Sequence, residues 1–299
     1  MYGADNKDDR TNNSMRAVPE LRAPAMRGIL RYWLRAVLGA RTQFISKVYE
    51  HESAILGSTE AGSRVRVRVQ RGKMREEAGL TVLPEQTRGY SLRHTGYQSG
   101  GEFRITLSTH PLDVGDVLAA DSNLLKALFL LLHFGGLGRR ARRGSGNLLV
   151  REAKGYDGDL PLALITEDRA MLSEYLATVA QMVSADTVGH RPDFAVFAPD
   201  TAVVLLGDEV HDTYDGAFRE LWRVSGPYHN DGGIFGDVRP RRASAIHMRV
   251  AQTQAGYVAQ QTILYSGHGQ WGRMQDYIAD CTGQGFDVLY GDTHWRQWQ

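Results

Sequence analysis

Apolar residues from Met26 onward recur at 26, 30, 33 and 37, with 29, 34 and 38 beside them. That spacing is one face of an amphipathic helix. Pro24 stands in its first turn and Gly39 is a plausible stop. Residues 64–71, RVRVRVQR, switch to strict alternation. Val65, Val67 and Val69 face one way and Arg64, Arg66 and Arg68 the other, which predicts a half-buried strand with a basic outer face. Gly100–His110 reads as a second strand, Leu124–Phe134 as a buried helix, and Asn147–Arg151 as a strand leaving the glycine-rich segment between them. Downstream, the pattern predicts helices over Glu167–Val183, Asp215–Val224 and Gln270–Cys281. Strands are predicted within Ala195–Leu206, over Ala243–Val250 and over 257–265. Helices and strands alternate in both halves without a short repeat, which predicts two tandem α+β units. The Gly and Pro of Asp157–Pro161 mark a plausible boundary, giving units over 1–155 and 156–299.

Composition adds little until the chain is divided. The whole carries a net charge of +1. Residues 1–154 hold 25 Lys and Arg against 15 Asp and Glu, a net +10; residues 155–299 hold 10 against 19, a net −9. A basic first half can attract a polyanion while the chain stays near neutral. No apolar run reaches the roughly 20 residues that span a bilayer, and the start lacks a basic-then-apolar leader pattern. Cys281 is the only cysteine, which excludes an intramolecular disulfide and suits a reducing cytoplasm.

The most concentrated chemistry is GGLGRRARRGSGNLL, residues 135–149. Its first twelve residues hold five glycines (Gly135, Gly136, Gly138, Gly144, Gly146) and four arginines (Arg139, Arg140, Arg142, Arg143). A P-loop would need a Lys-Ser/Thr pair, and a dinucleotide fingerprint a third glycine where Ala141 or Leu149 stands. Neither ATP nor NAD is supported. A polyanion backbone suits the loop better, with main-chain N–H groups and guanidiniums approaching phosphates. A solvated loop whose arginines pair with acidic neighbours explains the same residues.

Two stretches together, ELRAPAMRGILRYWLRAVLG (20–39) and FGGLGRRARRGSGNL (134–148), resemble the RAMP superfamily of type III CRISPR effector proteins, Cmr-type subunits most of all. That family shows an arginine-rich R-x-P-S-x-R-G-x-L-R-[FY]-W-W-R-A helix and a GG-x-G-x-R-x-R-R-G-x-G loop. ESAILGS (52–58) resembles its E-x-x-x-F-G-S segment, and RRASAI (241–246) its R-x-A-S-P-[IL] segment. The resemblance implies two tandem ferredoxin-like (RRM-like) modules with antiparallel sheets and the glycine-rich loop between them. It implies guide (CRISPR) RNA, target RNA and other type III subunits as partners, and no membrane. Arg27, Gly28, Arg31 and Arg35 would lie on the RNA-facing helix, with Arg22 just before it. The five loop glycines with Arg139, Arg140, Arg142 and Arg143 would be the family's loop, and Arg64, Arg66 and Arg68 a further basic surface. Ala25 and Leu34 depart from the pattern as packing changes. The family also begins with a strand before the arginine helix, where this chain has Met1-Tyr2-Gly3-Ala4-Asp5. Either the start lies upstream or another segment fills that place.

A non-catalytic RNA-binding subunit is the expectation, with no cofactor. A metal-dependent endoribonuclease of the same superfamily is the alternative, with Asp5, Asp8 and Asp9 around a Mg ion. A stand-alone RRM-like RNA-binding protein is another. His211, Asp212 and Asp215, or His229, Asp231 and Asp237, read as turns rather than a metal site or a general base. Trp33 is expected in the core, and Tyr32 is open to core packing or base stacking.

Overall fold

The structure, a computed structural model, describes every residue except 1–18, 84–91, 110–113, 139, 156–159, 161–164, 185–186, 190–191, 229–231, 237–242, 266–270 and 294–299. In chain order the elements are α1 (Ala23–Gly39), α2 (Ile45–Leu56), β1 (Val65–Arg71), β2 (Glu76–Leu83), β3 (Leu92–Tyr97), β4 (Phe103–Thr109), α3 (Val114–Phe134) and α4 (Arg169–Val183). There follow β5 (Ala202–Gly207), α5 (Tyr214–Ser225), a four-residue α6 (Gly232–Phe235), β6 (Ile246–Gln252), β7 (Tyr257–Leu264), α7 (Trp271–Gly283) and β8 (Phe286–Tyr290). All strand pairs are antiparallel: β1 with β4, β2 with β3, and a four-stranded sheet ordered β6-β7-β5-β8. The mixed α+β reading therefore holds.

The helical stripe of α1 is buried as its spacing predicts, through Met26, Leu30, Trp33, Leu34 and Val37, against α2, α3 and β1. β1 buries Val65 and Val67 and exposes Arg66 and Arg68. α4 starts on Asp168, whose carboxylate accepts from the Met171 N–H at 2.9 Å; α5 starts on Thr213, which accepts from Gly216 N–H at 3.2 Å. Both caps satisfy amide groups that a helix N-terminus leaves open.

β5 is buried along its whole length because the four-stranded sheet is covered on both faces. Val203 and Leu205, with Met248, Ile263 and Phe286, meet α5 and α7. Ala202, Val204 and Leu206 belong instead to the core built from α1, α3 and α4. That core joins the first half of the chain to the second, so the boundary at 155/156 is crossed by continuous packing. Two local expectations change. Asn147–Arg151 joins no strand ladder; the Leu148 carbonyl accepts instead from Arg249. The helix expected over Leu124–Phe134 begins ten residues earlier, at Val114. α2, the β2–β3 hairpin and β8 had no strong periodic signal. The expected turn at Met1–Asp5 and the carboxylates Asp5, Asp8 and Asp9 lie outside the described residues.

Candidate nucleic-acid interface

The glycine-rich loop leaves the end of α3 and lies against both α1 and β6. Its backbone needs glycine at three points: Gly138, Gly144 and Gly146 have φ of 91°, 81° and 68°. Arg140 also has φ of 69°, a left-handed conformation that costs a non-glycine residue about 1–2 kcal/mol. Inside the loop, Leu137 N–H donates to Gly146 O at 2.9 Å, Ala141 N–H to Gly138 O at 3.2 Å and Arg143 N–H to Arg140 O at 2.8 Å. Toward the second half, Gly144 N–H donates to Met248 O at 3.1 Å and Met248 N–H to Arg142 O at 3.3 Å. The loop therefore forms a short parallel bridge to the edge strand β6. Several of its amides are engaged by the protein itself.

The guanidiniums follow the same direction. Arg142 donates to Ser244 O and lies 4.5 Å above the Tyr32 ring. Arg143 donates to Phe235 O at 2.5 Å and lies 4.5 Å from that ring's centroid. Ser244 comes from RRASAI and Tyr32 from the arginine helix, so three of the four segments that carried the family resemblance meet here. Tyr214 donates to Gly144 O, and the Asn147 amide reaches Gly144 O at 3.1 Å and Tyr214 Oη at 3.2 Å. Arg139 lies outside the described residues.

What receives the loop is a buried polar face of β6 and β7. Alternation sends Ile246, Met248 and Val250 to the α5/α7 side. His247 and Arg249 point to the opposite side, with Gln260 beside Arg249 in the ladder. Arg249 donates to Gly135 O at 3.1 Å and to Leu148 O at 2.5 Å, bracketing the loop at both ends. Burial lowers its pKa to about 10. Gln260 donates to His133 O at 2.8 Å. Tyr32 Oη lies 3.0 Å from His247 Nε2. Burial raises the Tyr32 pKa, though Arg142 opposes this, so the phenol keeps its proton and donates to a neutral imidazole. Trp33 packs 5.0 Å from the same imidazole. Tyr32, left open between core and stacking, is thus held between Arg142 and His247. Sequence reading missed His247, Arg249, Gln260 and Tyr214. The only local signal was polar residues alternating inside apolar strands.

Two buried histidines give this junction a pH dependence. Burial, then the charge of Arg249, lowers the His133 pKa to about 3; its Nε2 lies 3.0 Å from Tyr175 Oη. Burial, then Arg142, holds His247 well below the usual value. Below pH about 6.5 the unfolded chain binds protons that the folded chain refuses. Stability is therefore full above pH about 6.5 and falls as pH drops from there toward 3. Each histidine contributes a slope approaching about 1.4 kcal/mol per pH unit. Urea unfolding midpoints at pH 7.5 and 5 should show the fall, and a His133→Gln/His247→Gln double variant should flatten it.

The arginine row of α1 turns away from the loop, toward α2. Arg31 and Arg35 both donate to Glu52, whose side chain is 1% exposed. Arg31 also donates to Leu56 O at 2.7 Å and Gly57 O at 2.6 Å, placing positive charge where α2 ends. ESAILGS thus supplies the carboxylate and the helix end that hold the row. Arg27 Nε is shielded, with no hydrogen-bond partner among the described residues. Gly28 is exposed. Arg22 is half exposed and pairs with Glu20 at 3.3 Å. Arg64 is partly buried just before β1. His211 is paired with Glu220 at 2.8 Å and Asp215 with Arg219 at 2.8 Å. Among the described residues no cluster of His, Cys, Asp and Glu could hold a metal ion, and no helix is long and apolar enough to cross a membrane. His229, Asp231 and Asp237 lie outside the described residues.

The loop, the α1 helix and the segments around Glu52 and Ser244 thus form one connected assembly, and a family model spans most of it. The RAMP superfamily model matches residues 3–149. The chain belongs to the RAMP superfamily. A curated relative, the CRISPR system Cmr subunit Cmr1-1 of Pyrococcus furiosus, is 30% identical over 235 residues, 72% of this chain and 65% of that protein. The match thus spans just under two thirds of the relative's length. Cmr1-2 of the same organism is 28% identical over 163 residues, 44% of this chain and 84% of that one. Among solved structures, the apo crystal structure of Cmr1 from Pyrococcus furiosus shares the fold with a TM-score of 0.63 at 18% identity, over 91% of this chain and 92% of that one. A chain of the Type III-B Cmr-beta complex bound to cognate target RNA superposes with a TM-score of 0.55 at 10% identity, over 88% and 93%.

Proposed function

We propose that this RAMP chain is an RNA-binding subunit of a type III CRISPR ribonucleoprotein, acting in the cytoplasm. It grips guide or target RNA through the backbone and contacts neighbouring subunits. The observation that carries the reading is the joining of the arginine-bearing α1 to the glycine-rich loop. Trp33 and Tyr32 of α1 lie directly against Gly135 and Arg142. Membership of the family, the Cmr1 relatives and the fold shared with a chain of an RNA-bound complex support it.

The finer architecture we propose is two tandem ferredoxin-like modules. In the second half, β5-α5-β6-β7-α7-β8 with β5 and β7 central is the split βαβ order, with a 3-10 turn (Gly226–Tyr228) and α6 between α5 and β6 among the described residues. In the first half, α1, β1, β4 and α3 occupy the middle of the same order, with α2 and the β2–β3 hairpin as insertions. The loop between the modules acts as a fixed joint. Arg142 and Arg143 clasp the second module, which leaves phosphate contact to Arg27 and the basic strand.

Gentle purification of the native protein, followed by RNA sequencing and mass spectrometry, tests the function. The expected result is a stoichiometric short RNA together with other type III subunits. A monomer that elutes without RNA would overturn the proposal.

A further inference from the structure

The register of β1 and β4 places three arginines on one solvent-facing surface in an order the sequence alone does not show. Arg66 is opposite Ser108, Arg68 opposite Thr106, and Gln70 opposite Arg104. All six are exposed, while the alternate residues turn inward. Each of three successive rungs therefore carries one guanidinium and one neutral hydrogen-bonding group. Rungs on the same face repeat every two residues, about 6.8 Å. That is comparable to the distance between neighbouring phosphates of an extended nucleic-acid strand. No carboxylate stands on these rungs. The next rung outward is Gly72 opposite Glu102, whose carboxylate is engaged by Arg151 at 3.7 Å. Glu152, paired with Lys154 at 2.9 Å, is the nearby carboxylate that feels Arg104.

From this juxtaposition we infer that the outer face of β1 and β4 is a three-rung track for single-stranded RNA backbone. Arg66, Arg68 and Arg104 hold successive phosphates, and Ser108, Thr106 and Gln70 meet the 2′-hydroxyls. Arg104 is the member that alternation in RVRVRVQR could not supply. The rungs carry no aromatic platform on which bases could stack, so the contacts assigned to them are to phosphate and sugar. The inference rests on the RNA-binding reading above and assigns it a second, separate surface, remote in sequence from the glycine-rich loop.

The test compares the full chain, in the assembly it purifies with, and its Arg66→Gln/Arg68→Gln/Arg104→Gln variant. The probes are a polyuridine oligonucleotide and its deoxy counterpart, titrated across a salt series. Taking three guanidiniums away from the phosphates of a single strand should reduce the slope of log affinity against log salt by about 2. Thermal melting should be unchanged, because none of the three is buried. Thr106→Val/Ser108→Ala should narrow the preference for RNA over DNA while leaving the salt slope in place. Photo-crosslinks from thiouridine-labelled RNA on the unmodified protein should fall within 64–71 and 103–109. If the native protein binds RNA and the triple variant keeps its slope, the track is wrong and the RNA-binding reading stands. If the native protein does not bind RNA, both fail.

Discussion

Gly146→Ala is expected to lower stability by about 3 kcal/mol or more, summing a left-handed backbone with a steric clash that the loop cannot relieve locally. At φ of 68°, a Cβ on residue 146 would stand 1.9 Å from the Leu137 carbonyl oxygen and 3.0 Å from its carbon. The same carbonyl belongs to the residue whose N–H donates to Gly146 O at 2.9 Å. The two strands of the loop must then separate, which pulls Leu148 O away from Arg249 and leaves a buried guanidinium short of an acceptor. Chemical denaturation of the variant gives the cost directly. Gly28→Ala is the contrast. Gly28 is exposed within α1, and a Cβ there meets nothing within 4 Å. Alanine should raise stability there by about 0.5–1 kcal/mol, since glycine in a helix interior is unfavourable. If Gly28 lets an RNA backbone approach α1, that more stable variant should bind RNA less tightly. If both glycine variants changed stability by the same small amount, the loop would not be the rigid joint described above.

The difference between these two glycines marks what the amino-acid pattern could reveal. α1, β1 and α4 announce themselves because their apolar residues repeat at the period of the element, and β5 because AVVLLG is apolar throughout. α2 does not, since ISKVYEHESAIL places Glu52 where the buried side lies. That residue makes sense only beside Arg31 and Arg35, 21 and 17 positions away. IHMRVAQ reads as a strand with one dry and one wet face. His247 and Arg249 are buried because the wet face is covered by a loop more than a hundred residues upstream. The loop's own arginines read as a cradle facing outward, but two of the described ones turn inward onto Ser244 and Phe235. Local periodicity carries no information about such partners. The family resemblance names the segments involved without saying which touch one another. Packing supplies that: ESAILGS neutralises the arginine row, and RRASAI receives the loop.

Glu52→Ala is the second large effect, and it tests that pairing. The carboxylate is almost wholly buried and accepts from two guanidiniums, including Arg35 Nη2 at 3.1 Å. Burial pushes its pKa up, but the hydrogen bonds from Arg35 and Arg31 more than offset this, and the net direction is down. Removing one partner of a buried pair typically costs about 3–5 kcal/mol, because the other charge is left without compensation. The lower end applies here. The Arg35 side chain is 51% exposed and can turn to water, whereas Arg31, at 26%, stays fixed to Leu56 O and Gly57 O. Glu52→Leu combined with Arg31→Met should recover much of the loss, since a packed apolar pair replaces a buried ionic one at little net cost. A carboxylate with a lowered folded pKa stabilises above its unfolded value of about 4.3 and loses that contribution as pH falls through the folded value. The stability gap between Glu52→Ala and the unmodified protein should therefore narrow below pH about 4. The same variant separates two roles for the row. If Arg31 and Arg35 serve only to fasten α2, RNA affinity per folded molecule stays constant. If the row also faces RNA, releasing Arg35 from Glu52 adds free positive charge and steepens the salt dependence of binding by up to about 0.7, the increment for one further phosphate neutralised on a single strand.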